Sequence, residues 1–405
     1  MKLHYLLFSL CLAISFSACQ RSTNIFHVER EDLFVLEIGI MEDQIALFDL
    51  EGHKGIRRAN IAMRDGFFYI SDANGAKILR YNSFGDLLFM IFNEELNPPS
   101  MSLNPLQEGI LATRWSVSHP LLEPGQITVD SRSHIFVRDR LPSYRHSFDA
   151  QKRVILDNII LHFDADGRFV KFIGREGPGG TPFPRIEGVY TSIRDELVVI
   201  TRHPGGWDIY WYDSEGFFLF VVQLSASALP IPPERDNVFG SLDRIAVRPD
   251  ARLLYIKIDY YRNTYDELTN TRTGIEPDGS VLWILNAEDG VWENHIDIPF
   301  FEKTITEHNR RVTHRMIYSL LGVSRNGRTF FSFPDEGGYS ILVLSTDQAS
   351  GGTQHQGFIR VNDYELQYNV FSISDNGILS ALLADDWRAR LVWWRTDKFI
   401  GEAFN

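Results

Sequence analysis

The sequence predicts an all-β chain, a β-propeller of six four-stranded units. Three observations lead there. A stretch of four short strands joined by Gly-, Asp- and Asn-rich turns recurs along the chain, aromatic residues make up 13% of it, and helical periodicity is scarce. Four-stranded antiparallel units arrayed around an axis leave only short, protected edges. Large side chains are what such units pack through.

In chain order, the first element is a processing signal, set aside before any fold reasoning. Lys2 supplies a positive start, and Leu6 to Phe16 is an apolar run shorter than the roughly 20 residues a bilayer span needs. "FSAC" follows, with Ser17 and Ala18 directly before Cys19. This resembles the lipobox of bacterial lipoproteins, with Phe16 at the place usually held by Leu. The resemblance implies that the Cys19 thiol is acylated (palmitate or a similar chain) and becomes the new N-terminus. The other cysteine, Cys11, would leave with residues 1–18, so no intramolecular disulfide is expected. Residues 19–32 then read as lipidated cysteine and polar tether, and 33–405 as the propeller. A multiply acylated cysteine meets the requirement of stable anchoring for more than one chain, each buried methylene contributing about 0.8 kcal/mol.

The repeat begins with "NIAM" (Asn60 to Met63), "FFYIS" (Phe67 to Ser71), "KILRYN" (Lys77 to Asn82) and "LLFMIF" (Leu87 to Phe92). Its front half returns as "ITVDSRSHIFVRD" at Ile127, "VYTSIRDELVVITR" at Val189, "IAVRPDARLLYIKID" at Ile245, "GVSRNGRTFFSF" at Gly322 and "FSISDNGILSALLAD" at Phe371. Its back half returns as a turn ending in Gly: "YNSFG" at Tyr81, "FDADG" at Phe163, "YDSEG" at Tyr212 and "LNAEDG" at Leu285. "VLSTD" at Val343 and "WWRTD" at Trp393 are looser copies. Incomplete apolar alternation fits strands buried on both faces. "TEHNRRVTHRMIYSLL" (306–321) is the best helical candidate, as a loop helix.

"FIGREGPGGTPFPRI" followed by "VYTSIRDELVVITR" and "IYWYDSEG" resembles NHL-type six-bladed propellers, as does "FVLEIG" followed by "NIAMRDGFFYISDANGAKILRYNSFG". The likeness spans roughly Phe34 to Lys398, and the family's Asp stands at Asp72, Asp139, Asp259 and Asp385. It implies fold more securely than function. Ring closure follows: "LFVLEIG" (Leu33 to Gly39) looks like a last strand without a beginning and is expected to pair into the unit begun near Phe371. The C-terminal "KFIGEAF" competes for that role.

Long insertions concentrate on one rim, after second strands and between units: 93–126, 140–153, 174–187, 225–244, 260–277 and 300–320. Binding usually resides in long loops on a rigid scaffold. Residues opening these loops are expected to ring the channel, and the candidate ligand contacts are Arg138, Asp139, Arg202, His203, Tyr260, Arg262, Asp385 and Trp387; each Asp also suits bonding to turn amides. "GREGPGG" has no P-loop lysine, and "DADG" lacks the glutamate of a calcium loop. Neither HExxH nor GxSxG occurs. No cofactor, metal or catalytic residue is assigned.

A net charge of −13 argues against nucleic acid or an anionic bilayer surface as the main partner. The expectation is a lipid-anchored protein of the bacterial cell envelope, periplasmic or surface-exposed. Its propeller would be a non-catalytic binding or scaffolding module for a protein partner. The alternatives are a carbohydrate- or peptide-binding receptor and a metal-dependent propeller hydrolase or lyase.

Overall fold

The computed structural model describes residues 24–48, 58–106, 113–266, 268–307, 310–346 and 354–398. Cys19, the signal and most of "KFIGEAF" lie outside them. The chain is an all-β propeller, with only short 3-10 turns and one terminal turn of helix besides strand among the described residues. Its sheets of four or more strands follow the chain. Sheet 1 opens with Asn60–Arg64, sheet 2 with Ile127–Val129, sheet 3 with Arg185–Thr191, sheet 4 with Val238–Val247, sheet 5 with Ser319–Val323 and sheet 6 with Tyr368–Ile373. Each opening strand lies against that of the next sheet, and the opening strand of sheet 6 lies against that of sheet 1.

The predicted closure is present. Arg30–Glu37 pairs antiparallel with Arg388–Trp394 and completes sheet 6 as its fourth strand. Leu36 is buried there, and the Phe34 ring packs at a tilt against Tyr81 of sheet 1 with centroids 5.0 Å apart, so this strand ties two sheets together.

The Gly-ended turns explain themselves physically. Asn82, Asp164 and Asp213 each accept two main-chain amides of their own turn through Oδ1, at 2.8–3.0 Å. The glycine that ends each turn (Gly85, Gly167, Gly216) has φ between +79° and +87°, a conformation that costs other residues strain. "DADG" is therefore a hairpin turn.

Two sheets gain a parallel strand on the outside: Trp115–Ser118 on Leu87–Phe92, and Asn24–His27 on Gln354–Arg360. The helical reading of 306–321 is corrected. Phe301–Glu307 and Arg310–Met316 form a two-stranded hairpin, because a run of β-branched residues pairs across it, Ile305 opposite Val312 and Thr304 bonded to Thr313 at 2.9 Å. Other predicted loops are also partly strand. The second and third strands of sheet 4 run on to Tyr265 and from Arg272, and Ser147–Asp149 pairs with Val154–Leu156.

Candidate functional site

The opening strands enclose a central channel of about 1220 Å³. Its two ends differ, because each opening strand starts at an inter-sheet loop and ends at a short turn. The short turns interlock. The Ser131 amide and hydroxyl donate to Asp195 (2.8 and 2.7 Å), and the Ile193 amide donates to the Pro249 carbonyl (2.9 Å). The Asn326 amide reaches Asp250 (3.3 Å), the Arg325 amide reaches the Asp375 carbonyl (2.7 Å), and Arg64 pairs with the Asp375 carboxylate (3.0 Å). This rim is a belt of sheet-to-sheet contacts. The opposite rim carries the inter-sheet loops and the projecting hairpins, and there the channel opens as a polar mouth.

Three opening strands bulge near the mouth. Register slips between Ile186 and Gly188, Leu242 and Arg244, and Leu320 and Gly322 leave Glu187, Asp243 and Leu321 as the extra residues, and all three line the channel. Bulges re-aim side chains in this way. Arg58, Arg138, Arg140, Arg185 and Arg244 also line it, with the carboxylates Glu123 and Asp157. Arg140 lies 3.1 Å from Asp157 and 3.5 Å from Glu123, while Arg138 donates to the Glu123 carbonyl at 2.9 Å. Burial lowers the pKa of Arg138, against the pull of Glu123 and Asp139. Arg244 donates to the Leu320 carbonyl at 3.0 Å, and Lys257 takes Asp243 at 3.1 Å. Sheet 6 presents Gln367 and Asn369, next to Asn60 of sheet 1.

Of the loop-opening residues expected to ring the channel, Arg138 does so. The others stand back, because the end of a second strand is one strand farther from the axis. Asp139 is buried and accepts the amides of Leu122 (3.1 Å) and Glu123 (2.7 Å), clamping the loop that arrives from sheet 1. Burial pushes its carboxyl up to about 6. Asp72 does the same for the loop entering sheet 1, accepting the Ala46 amide at 2.8 Å as well as that of Gly75 in its own turn at 2.9 Å. Asp385 accepts the amides of Trp387 and Arg388 at 2.8 and 2.7 Å.

The Tyr260 side chain is buried, its hydroxyl donating to the Pro230 carbonyl and accepting from Trp283 Nε1 at 2.9 Å. Arg202 lies over Trp207 at 5.5 Å and 3.5 Å from Glu187, beside the mouth. His203 faces Asp208 at 3.6 Å, and Arg262 bonds Asp278. Trp387 is 77% exposed on an outer turn. The structure therefore scatters this set. The bulged residues and Arg58, Arg140, Arg185 and Arg244 were not singled out in the sequence. Arg185 opens its strand, but Arg58 lies in a loop, Arg140 ends a second strand and Arg244 lies inside an opening strand, so the letters share no signal that marks them. No group of three or more His, Cys, Asp or Glu among the described residues is arranged to hold a metal.

No family model and no curated relative matches the chain. Among solved structures it is similar to the polysaccharide lyase Uly1, at a TM-score of 0.40 and 11% identity over 92% of this chain and 99% of that one. It is also similar to the β-propeller domain of the Trilobed protease from Pyrococcus furiosus, which has an open velcro topology (TM-score 0.36, 11% identity, 83% and 93%). A third similar structure is a putative 6-phosphogluconolactonase from Bacteroides fragilis (TM-score 0.35, 10% identity, 81% and 90%). Likeness at this level carries no functional inference.

Proposed function

We propose that the chain is a lipid-anchored, non-catalytic binding protein of the bacterial cell envelope, a six-unit NHL-like ring that receives its ligand at the channel mouth. One observation carries this reading: the rim of short turns is tied into a belt, whereas the other rim combines a deep polar opening with the long connections. The place of the N-terminal strand agrees with it. Asn24–His27 runs parallel to Gln354–Arg360 with Asn24 opposite His355, so it starts at the end of that strand away from the inter-sheet loops. Cys19 precedes Asn24 by five residues, a tether of at most about 18 Å. An acyl chain there would turn the belt toward the bilayer and the mouth outward.

The protein-partner reading is favoured by the projecting hairpin Phe301–Met316, which offers an edge outside the ring. The hydrolase alternative needs His203 or the ring of Asp residues together on the axis. His203 is instead drawn to Asp208, and Asp139 is occupied with loop amides.

Two measurements test the proposal. Cys19→Ser is expected to abolish fatty-acid labelling and release the protein from membranes; membrane retention of an unlabelled wild type would end the anchor. A photo-crosslinker at Gln367, on the mouth, is expected to capture envelope ligands or partners, and one at Asn326, exposed in the belt and outside the channel, is not. The reverse pattern would overturn the assignment of the working face.

A further inference from the structure

The outer edges of the six sheets are finished differently. A strand edge presents unpaired N–H and C=O groups to any chain that can add to it, and proteins blunt such edges with charge, proline or shortness. Beyond the fourth strands of sheets 1 and 2 lie further strands, the outermost of which are Asn104–Pro105 and Gly177–Pro178. Sheet 5 ends in the short Asn24–His27. Sheets 4 and 6 end in charged strands, Trp292–Ile298 with Glu293 and Asp297, and Arg30–Glu37 with a charge at each end. Sheet 3 differs. Its outer strand, Phe218–Ser225, reads "FLFVVQLS", with neither charge nor proline over 8 residues, and no strand among the described residues lies beyond it.

Sheet 1 shows what fits such an edge. Its fourth strand carries Phe89, Met90, Ile91 and Phe92 after a bulge, and Trp115–Ser118 runs parallel to them. Trp115 stands opposite Phe89, with the two rings stacked at 5.5 Å, and all four residues are at most 6% exposed. By the same bulge register, the matching residues of sheet 3 are Phe220, Val221, Val222 and Gln223. Three of them are apolar too, yet none is buried, and Val221 is 37% exposed. We propose that this edge, on the periphery of the ring and apart from the mouth, docks an extended segment of a partner protein, added parallel to Phe220–Gln223. Sheet 5 receives Asn24–His27 in that same direction. The segment is uncharged where it pairs, since Phe218–Ser225 offers no opposite charge, and it sets an aromatic side chain on Phe220 as Trp115 does on Phe89. A second copy pairing edge to edge about a two-fold axis would run antiparallel, a direction that neither built-in parallel strand takes.

The test titrates the mature protein into a fluorescent peptide with the sequence of Thr113–Pro120, which contains the strand that fills the equivalent place in sheet 1. Saturable binding is expected, and it weakens severalfold when the peptide carries Trp115→Ser. A photo-crosslinker at the start of the peptide labels the Phe218 end of the outer strand, and one at its finish labels the Ser225 end. Val221→Lys, at an exposed position, keeps the wild-type melting temperature and weakens binding at least tenfold. Val35→Lys, exposed on the outer strand of sheet 6, leaves binding unchanged. The order of the crosslinks reads the site in the unmutated protein, whatever a variant does to folding. No saturable binding by the folded wild type, equal binding by Val221→Lys, loss of binding in Val35→Lys, or adducts in the reverse order or on Leu87–Phe92 would overturn the proposal.

Discussion

Gly206 and Gly338 occupy equivalent places, each opening the third strand of its sheet. They have φ of +147° and +158°, and an added Cβ would stand 1.9 Å from the Leu224 carbonyl oxygen and 2.0 Å from that of Ile359. Both obstacles are backbone, so neither can swing aside. Gly206→Ala is therefore expected to cost about 1–3 kcal/mol in urea unfolding. Gly290, with nothing within 4 Å of its added Cβ, should show only the strain of its positive φ.

Asp139 gives a pH signature at the same scale. Its carboxyl is pushed up to about 6 by burial, above the ordinary value near 4. Between those values the folded state keeps a proton that the unfolded chain has lost, so its contribution to stability falls as pH rises through that window. Asp139→Asn is expected to remove this slope, about 3 kcal/mol at most, in unfolding curves at pH 4, 5 and 6.5. His162 acts with the opposite sign. It is buried against Phe136 at 4.4 Å, and burial lowers its imidazole to about 3. The unfolded chain gains that proton near pH 6.5, so the stability His162 contributes is lost as pH falls from there toward 3. His162→Phe should flatten that acid limb, and an unchanged limb would show that another group sets it.

At the scale of the element, the strand Arg30–Glu37 carries the closure. It supplies the outer strand of sheet 6, its Arg30 bonds the buried Glu365 at 2.6 and 2.8 Å, and its Leu36 enters the cluster shared with sheet 1. Leu36→Ala is expected to cost about 2–5 kcal/mol. Deleting the strand should leave sheets 6 and 1 to unfold at lower urea than the rest, seen as a second transition. This element was legible in the sequence because an apolar strand ending in Gly stood without a partner. The hairpin Phe301–Met316 was not. Over that stretch the spacing of apolar residues resembles a helix, and only the cross-strand pairing of Thr304 with Thr313 reveals the strands.

For the whole molecule, what could be read from sequence and what could not follows the same physics. Turn chemistry is local, so "YNSFG", "FDADG" and "YDSEG" announced the hairpins in the letters themselves. The channel is not local. Glu187, Asp243 and Leu321 face it because of bulges fixed by the register of a neighbouring strand. Asp139 reads like a loop-opening ligand contact, yet it serves the loop arriving from another sheet. The division of the rims into a belt and a mouth emerges only when the sheets are arranged around the axis.

The central claim is that the mouth is the working face, and hydrogen exchange of the mature protein with and without a detergent extract of the cell envelope tests it most directly. Protection on binding is predicted in Asn60–Arg64, Arg185–Thr191, Val238–Val247 and Tyr368–Ile373 and in the loops that lead into them. Protection confined to the short turns near Asp195 and Asn326, or to the outer strand Phe218–Ser225, would contradict it.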